Sequence, residues 1–327
     1  MRFLLTEEQA AFARTLHGLL AASEVPAAVR AWGAGDHAPG RALWARLADT
    51  GLFALAADEA HDGVGPLPLE QALGFVELGR AAVPGPVVET AAAAVLLTRL
   101  GDETLAKRFL PGLVAGESTA TLTLPAGGPY ALDADAATHL FTVSPAGELR
   151  LSAATGPQRA STDPARRLAL PDGGGELLAA GPAVTAAARA AGNWARLLTA
   201  AQSLGVGEAL LARTVEYAKR RTQFAAPIGS FQAVKHRLAD TLLGLEFARP
   251  LLWAAALSLE PGEIAAAKLT AGEAAYAAAM TALQLHGAIG YTEELDLSLW
   301  LRKARPLRDA WGGPAQCRAA VLQGRTR

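Results

Sequence analysis

Beyond residue 183 the sequence is built of three long runs in which apolar side chains return every three or four positions. That periodicity limits what the chain can fold into more than any other feature. Trp194, Leu197, Leu198, Leu204, Leu210 and Leu211 mark the first run, and Val234, Leu238, Leu242 and Leu245 mark a second that opens at Ser230. The third spans 263–286. Residues at that spacing fall on one face of a helix, and an apolar face has to be covered by another element. The runs are also rich in alanine, whose small side chain lets helix axes approach closely. Residues 183–327 are therefore expected to pack as a four-helix bundle.

Upstream, two textures follow one another. Thr6-Glu-Glu-Gln9 has the form of a capping box, and Phe12, Leu16, Leu19 and Leu20 recur behind it at helical spacing. Further helical patterns cover 40–50, 69–82, 89–100 and 103–113, punctuated at Gly63, Gly65, Pro84, Pro86 and Pro111. From residue 118 to 182 the pattern changes to short β-type runs at 119–124, 138–143 and 148–151, set among Pro, Gly and Asp. The expected architecture is mainly α with a small β insert. It comprises an N-terminal helical domain at 1–117, a reduced middle β domain at 118–182 and a C-terminal bundle at 183–327.

Composition excludes several function classes. Thirty Lys and Arg nearly cancel thirty-one Asp and Glu, so no global field recruits nucleic acid or an anionic membrane. The longest apolar stretches, 91–97 and 251–259, fall far short of the roughly 18–20 residues a membrane span requires. The opening segment lacks the charged-then-apolar layout of a signal peptide. A lone Cys317 and six scattered histidines offer neither an internal disulfide nor paired metal-ligand spacing. A cytoplasmic, metal-free protein is the expectation.

Two blocks carry specific information: Arg221-Thr-Gln-Phe-Ala-Ala-Pro-Ile-Gly-Ser-Phe-Gln232, and Gln284-Leu-His-Gly-Ala-Ile-Gly-Tyr-Thr-Glu-Glu294. Together they closely resemble the signature of the acyl-CoA dehydrogenases, flavoproteins that desaturate an acyl-CoA between its α and β carbons. Lys107-Arg-Phe-Leu-Pro-Gly-Leu-Val-Ala-Gly-Glu117 is similar to the family's closing segment before its β domain, and the order helices, β insert, bundle is the family's order. The resemblance implies FAD lying across a subunit interface. Arg221 would be its phosphate ligand, Phe224 would pack near the adenosine, and Gln232, Gln284, Leu285, His286, Gly287 and Ala288 would complete the neighbour-side contacts. A guanidinium fork suits bidentate phosphate contact, and a glycine lets backbone approach a ligand closely. A plainer reading stands beside it, in which Arg221 merely ends a helix, Phe224 is core and the glycines are a C-cap.

The family's catalytic Glu occupies one of two positions. An ungapped extension from Arg302 places the first at Trp311, where Tyr-Glu-Gly is replaced by Ala310-Trp311-Gly312, and the alternative falls on Ala195. Neither side chain can take a proton from carbon. The flavin-side segment departs as well. Thr121-Leu-Thr-Leu-Pro125 stands at the Thr-Glu-Pro-type turn, and no tryptophan lies between Trp44 and Trp194. The losses gather on the flavin side while the adenine side survives. The resemblance thus extends to the noncatalytic subunits of heteromeric, steroid side-chain acyl-CoA dehydrogenases. On that view the chain completes an FAD site in a heterotetramer whose Glu-bearing partner binds most of the acyl-CoA. Two alternatives remain: a homomeric oxidoreductase with a relocated base at Asp309 or Glu208, and a structural subunit that binds no FAD. Gly205-Val-Gly207 has the start of a dinucleotide fingerprint without its strand or third glycine, so close helix packing accounts for it better.

Overall fold

The computed structural model describes residues 4–324. Helix α1 (Glu7–Ala21) starts on the capping box. Thr6 Oγ accepts from the Gln9 N–H at 3.2 Å while Gln9 Oε1 accepts from the Thr6 N–H at 3.0 Å, so two free amides of the first turn are satisfied reciprocally. Five more helices follow: α2 (Val25–Gly33), α3 (Ala38–Ala48), α4 (Pro68–Arg80), α5 (Val87–Leu100) and α6 (Glu103–Val114). The first of these, α2, has no counterpart in the sequence patterns, and α3 lies two residues earlier than its pattern. Helix α5 is buried on every side from Val87 to Leu97, so it forms the centre of the N-terminal part rather than its surface.

Six short strands separate these helices from the rest: β1 (Ala120–Thr123), β2 (Ala131–Leu132), β3 (His139–Val143), β4 (Glu148–Leu151), β5 (Leu168–Ala169) and β6 (Glu176–Ala180). Four of them form one sheet in the order β1-β3-β4-β6, with β1 parallel to β3 and the other pairs antiparallel. The 39-residue α7 (Pro182–Arg220) then runs the length of the molecule. A two-stranded hairpin, β7 (Thr222–Gln223) and β8 (Ala226–Pro227), leads into α8 (Gln232–Ser258), α9 (Pro261–His286), α10 (Leu297–Asp309) and α11 (Pro314–Gly324). Helix α7 packs against α4, α5, α8 and α9. A side chain at Gly205 would strike the Val76 carbonyl of α4, and one at Gly207 would meet Leu245 and Ala275. These glycines therefore serve helix contact, as expected.

One stripe is corrected. Leu245 is buried, but Leu242, grouped with it in the sequence, is 46% exposed. Helix α8 turns Thr241, Leu245, Ala248 and Leu252 inward, a repeat of four, three and four residues that leaves Leu242 about 100° round the helix. The outward face instead carries Leu242, Leu243, Phe247 and Leu251, with Phe247 71% exposed. Among the described residues no helix is long and apolar enough to cross a membrane, and no cluster of three or more His, Cys, Asp or Glu could hold a metal ion.

Candidate cofactor and active site

The two positions expected to hold a catalytic carboxylate do come together. Ala195 lies fully buried in α7, and the next residue, Arg196, donates from Nε to the Trp311 carbonyl at 3.0 Å. Trp311 itself adopts φ 55°, a left-handed conformation that strains a bulky residue, in the turn between α10 and α11. The turn is held from behind. Lys268, buried in α9, donates from Nζ to the carbonyls of Leu307 and Arg308, both at 2.9 Å, and so caps the last turn of α10.

The Trp311 ring is buried against Glu89 and Gly127. Its indole N–H donates to Glu89 Oε1 at 3.0 Å, and a side chain at Gly127 would collide with the ring. What remains is a cavity of about 10 Å³ lined by Glu89, Arg166, Thr199, Gln202, Lys303 and Trp311, room for at most one water. Burial pushes the Glu89 carboxyl above its ordinary range, while Arg166 and the Trp311 indole draw it down. Lys303 lies 3.2 Å from Asp163 and closes the far side. None of Glu89, Asp163, Arg166 or Lys303 was singled out in the sequence. Glu89 sits in the first turn of α5, where an acidic residue is explained by the helix dipole alone, so its type and place carried no further signal.

The two carboxylates weighed as relocated bases stand elsewhere. Glu208 is clamped between Arg80 and Arg249, and it lies thirteen residues along α7 from Ala195, roughly 20 Å by helix rise. Asp309 is exposed and paired with Arg305 at 3.1 Å.

The other candidate residues gather at one end of the bundle. Helices α8 and α9 run antiparallel, as the Thr241–Thr281 hydroxyl contact at 3.2 Å fixes, so the start of α8 and the end of α9 share that end. Arg221 follows the last residue of α7, and among the described residues its guanidinium makes no ion pair. Phe224 and Ala225 both have positive φ, the two-residue turn that joins right-twisted strands, and this thrusts the Phe224 ring out to 91% exposure. The reading of Phe224 as core is thereby corrected. Gln232 opens α8, while Gln284, Gly287 and Ala288 are exposed at the end of α9. Gly287 has φ 63° and open space beside its Cα. His286 differs from its neighbours. Its ring is buried, stacks on Tyr217 at 4.1 Å between centroids and bonds through Nδ1 with the Ala282 carbonyl at 2.8 Å, so it buttresses the segment from behind.

These groups fit the adenosine pyrophosphate half of FAD, with an unpaired guanidinium, a bare aromatic face and an open glycine backbone. The flavin half finds no such fit. Thr121, at the turn that the resemblance assigns to the flavin side, is fully buried, and the small cavity beside Trp311 has room for at most one water.

Comparison with known proteins bears on the same parts of the chain. Residues 6–117 match the acyl-CoA dehydrogenase N-terminal domain and residues 185–325 match the acyl-CoA dehydrogenase C-terminal domain. The chain is 35% identical over 301 residues to acyl-CoA dehydrogenase IpdE2 of Mycobacterium tuberculosis, covering 91% of each chain. Its fold is similar to the ChsE4–ChsE5 complex of Mycobacterium tuberculosis, with TM-score 0.85 and 26% identity over 100% of this chain and 99% of that one. It is also similar to PigA with FAD and proline, with TM-score 0.84 and 20% identity over 100% and 99% of the two chains.

Proposed function

Since the chain belongs to the acyl-CoA dehydrogenase family, we propose that it is the noncatalytic subunit of a heteromeric member, completing an FAD site for a Glu-bearing partner. The family's cofactor is FAD and its members are oxidoreductases acting on CH–CH bonds. The observation that carries the reading is an asymmetry within one molecule. The base pocket is filled by Trp311 and sealed, while Arg221, Phe224 and Gly287 stand open at the end of the bundle. The likeness to the ChsE4–ChsE5 complex supports a mixed assembly, and bulky acyl-CoA thioesters of the steroid side-chain type are the substrate class that the sequence resemblance implies.

When bound, FAD supplies the electron acceptor for α,β-desaturation of the thioester. This chain's own residues do the holding. Arg221 offers a planar fork to the pyrophosphate, Phe224 offers a face to the adenine, and the backbone at Gly287 admits close approach. The α proton is left to the partner's carboxylate, because neither Ala195 nor Trp311, at the two positions where the resemblance puts the base, can accept it. The apolar outer face of α8 gives the partner a surface to cover.

Co-expression with a Glu-bearing family member tests the assignment. The mixed complex should desaturate an acyl-CoA and hold fewer than one FAD per chain, whereas the chain alone should show no turnover. Turnover by the single chain, or one tightly bound FAD per protomer in its absence of a partner, would sink the proposal. An active mixed complex whose FAD content and affinity ignore this chain would make it a structural subunit.

A further inference from the structure

A second cleft, of about 930 Å³, opens between α1, the start of α2, the end of α4, the last turns of α7 and the start of α10. It shares no residue with the sealed pocket, and its volume is that of a small-molecule site. Two features distinguish it from an ordinary surface groove. Leu20, Val25 and Leu297 give it an apolar wall, and Arg213 stands over the Trp300 ring with its guanidinium carbon 3.8 Å from the centroid.

Several of the charges around Arg213 are paired with other groups. Arg80, on the same wall, is clamped by Glu77 and Glu208. Asp296, the carboxylate whose field acts on Arg213, is taken by Arg30 at 2.6 Å. Among the described residues the Arg213 guanidinium itself has no ion pair and no hydrogen bond, only the indole beneath it. The indole restrains the guanidinium, which also lines the cleft, and leaves its N–H donors available to a carboxylate or phosphate. Among the described residues Glu24 and Glu294 line the cleft without ion-pair partners, set against Arg213 and Arg220, so a ligand with one negative charge is favoured over one with several.

We propose that this cleft is a second ligand site that takes a singly charged anionic amphiphile, a carboxylate or phosphate on an apolar body, with Arg213 as its anchor. The proposal does not rest on the subunit reading, since its anchor Arg213 is not among the proposed FAD contacts; His286 is the one residue the two sites share. A ligand seated there would lie behind the segment that ends α9.

Titration calorimetry of the purified chain with octanoate, acetate and octylammonium tests both halves of the claim. Octanoate should bind saturably with Kd near or below about 1 mM, and acetate and octylammonium should each bind at least about tenfold more weakly. Arg213→Gln should weaken octanoate by about ten- to hundredfold, and Arg213→Lys, which keeps the charge and loses the stacked fork, by less. An unchanged circular dichroism spectrum would confirm that both variants fold. Equal octanoate affinity in Arg213→Gln, equal affinity for octylammonium, or no saturation by about 10 mM would overturn the proposal.

Discussion

At the scale of single residues, Trp311 and Arg221 mark the two halves of the proposed site. Trp311 sits in the core with its indole bonded to a buried carboxyl, so Trp311→Ala should cost about 3–5 kcal/mol by opening a cavity and stripping Glu89 of a partner. Urea unfolding would show this as a lowered midpoint at unchanged slope. Trp311→Glu should also destabilise, since it sets a second carboxyl against Glu89, and steady-state assays should find no desaturation gained by the chain. Rescue of a partner lacking its own Glu by Trp311→Glu would mean that a working flavin pocket survives here. Arg221→Ala should lower the FAD affinity of the mixed complex about ten- to hundredfold and leave the subunits associated. Dissociation at unchanged FAD affinity would instead mark Arg221 as an interface residue. Trp311 was legible in the sequence because a short ungapped stretch leads to it from Arg302. Its partner Glu89 was not, because the two lie 222 positions apart and only packing joins them.

At the scale of elements, α8 is the most informative. Its inward stripe satisfies α7 and α9, yet Leu242, Leu243, Phe247 and Leu251 remain outside. Phe247→Glu should leave the chain's own unfolding midpoint nearly unchanged, within about 0.5 kcal/mol, because the side chain is exposed. The same change should abolish copurification with the partner if this face is the one covered, through the cost of burying a charge at the centre of an interface. Undiminished copurification would place the contact on another element. Periodicity alone could not separate the two faces of α8. Both carry large apolar residues, and a helix with leucines on two faces has no preferred orientation until its neighbours are known.

At the scale of the whole molecule, buried ionisable groups tie the segments together and give stability a pH dependence. Asp133, fully buried between β2 and the segment at Arg167, has its pKa raised from 3.8 to about 7 by burial, against the pull of the Arg167 backbone N–H and the Arg166 and Arg167 charges. The folded state therefore binds the extra proton between those values. This contribution is fully present below about pH 4 and lost as pH rises through about 7, at no more than about 1.4 kcal/mol per pH unit. Lys268 behaves oppositely. Burial lowers it from 10.5 to about 8 despite Cys317 and Asp309, with Arg196 and Arg166 adding to the fall. Its contribution is present above 10.5 and lost as pH falls through 8. Thermal melts across pH 4–10 should flatten on the acid side in Asp133→Asn and on the alkaline side in Lys268→Met, and slopes unchanged in both variants would refute the assignment. By itself the sequence determined the helix–strand–helix order, the capping box, the family signature and the non-acidic side chains at Ala195 and Trp311. Each of these is written in local spacing or in contiguous blocks. Only the tertiary structure decided that Trp311 closes on Glu89, that Phe224 is bare, that Leu242 faces outward and that Arg213 lies unpaired over Trp300. Each of those outcomes depends on which distant side chain fills the adjoining space, and close packing across elements leaves no local trace in the chain.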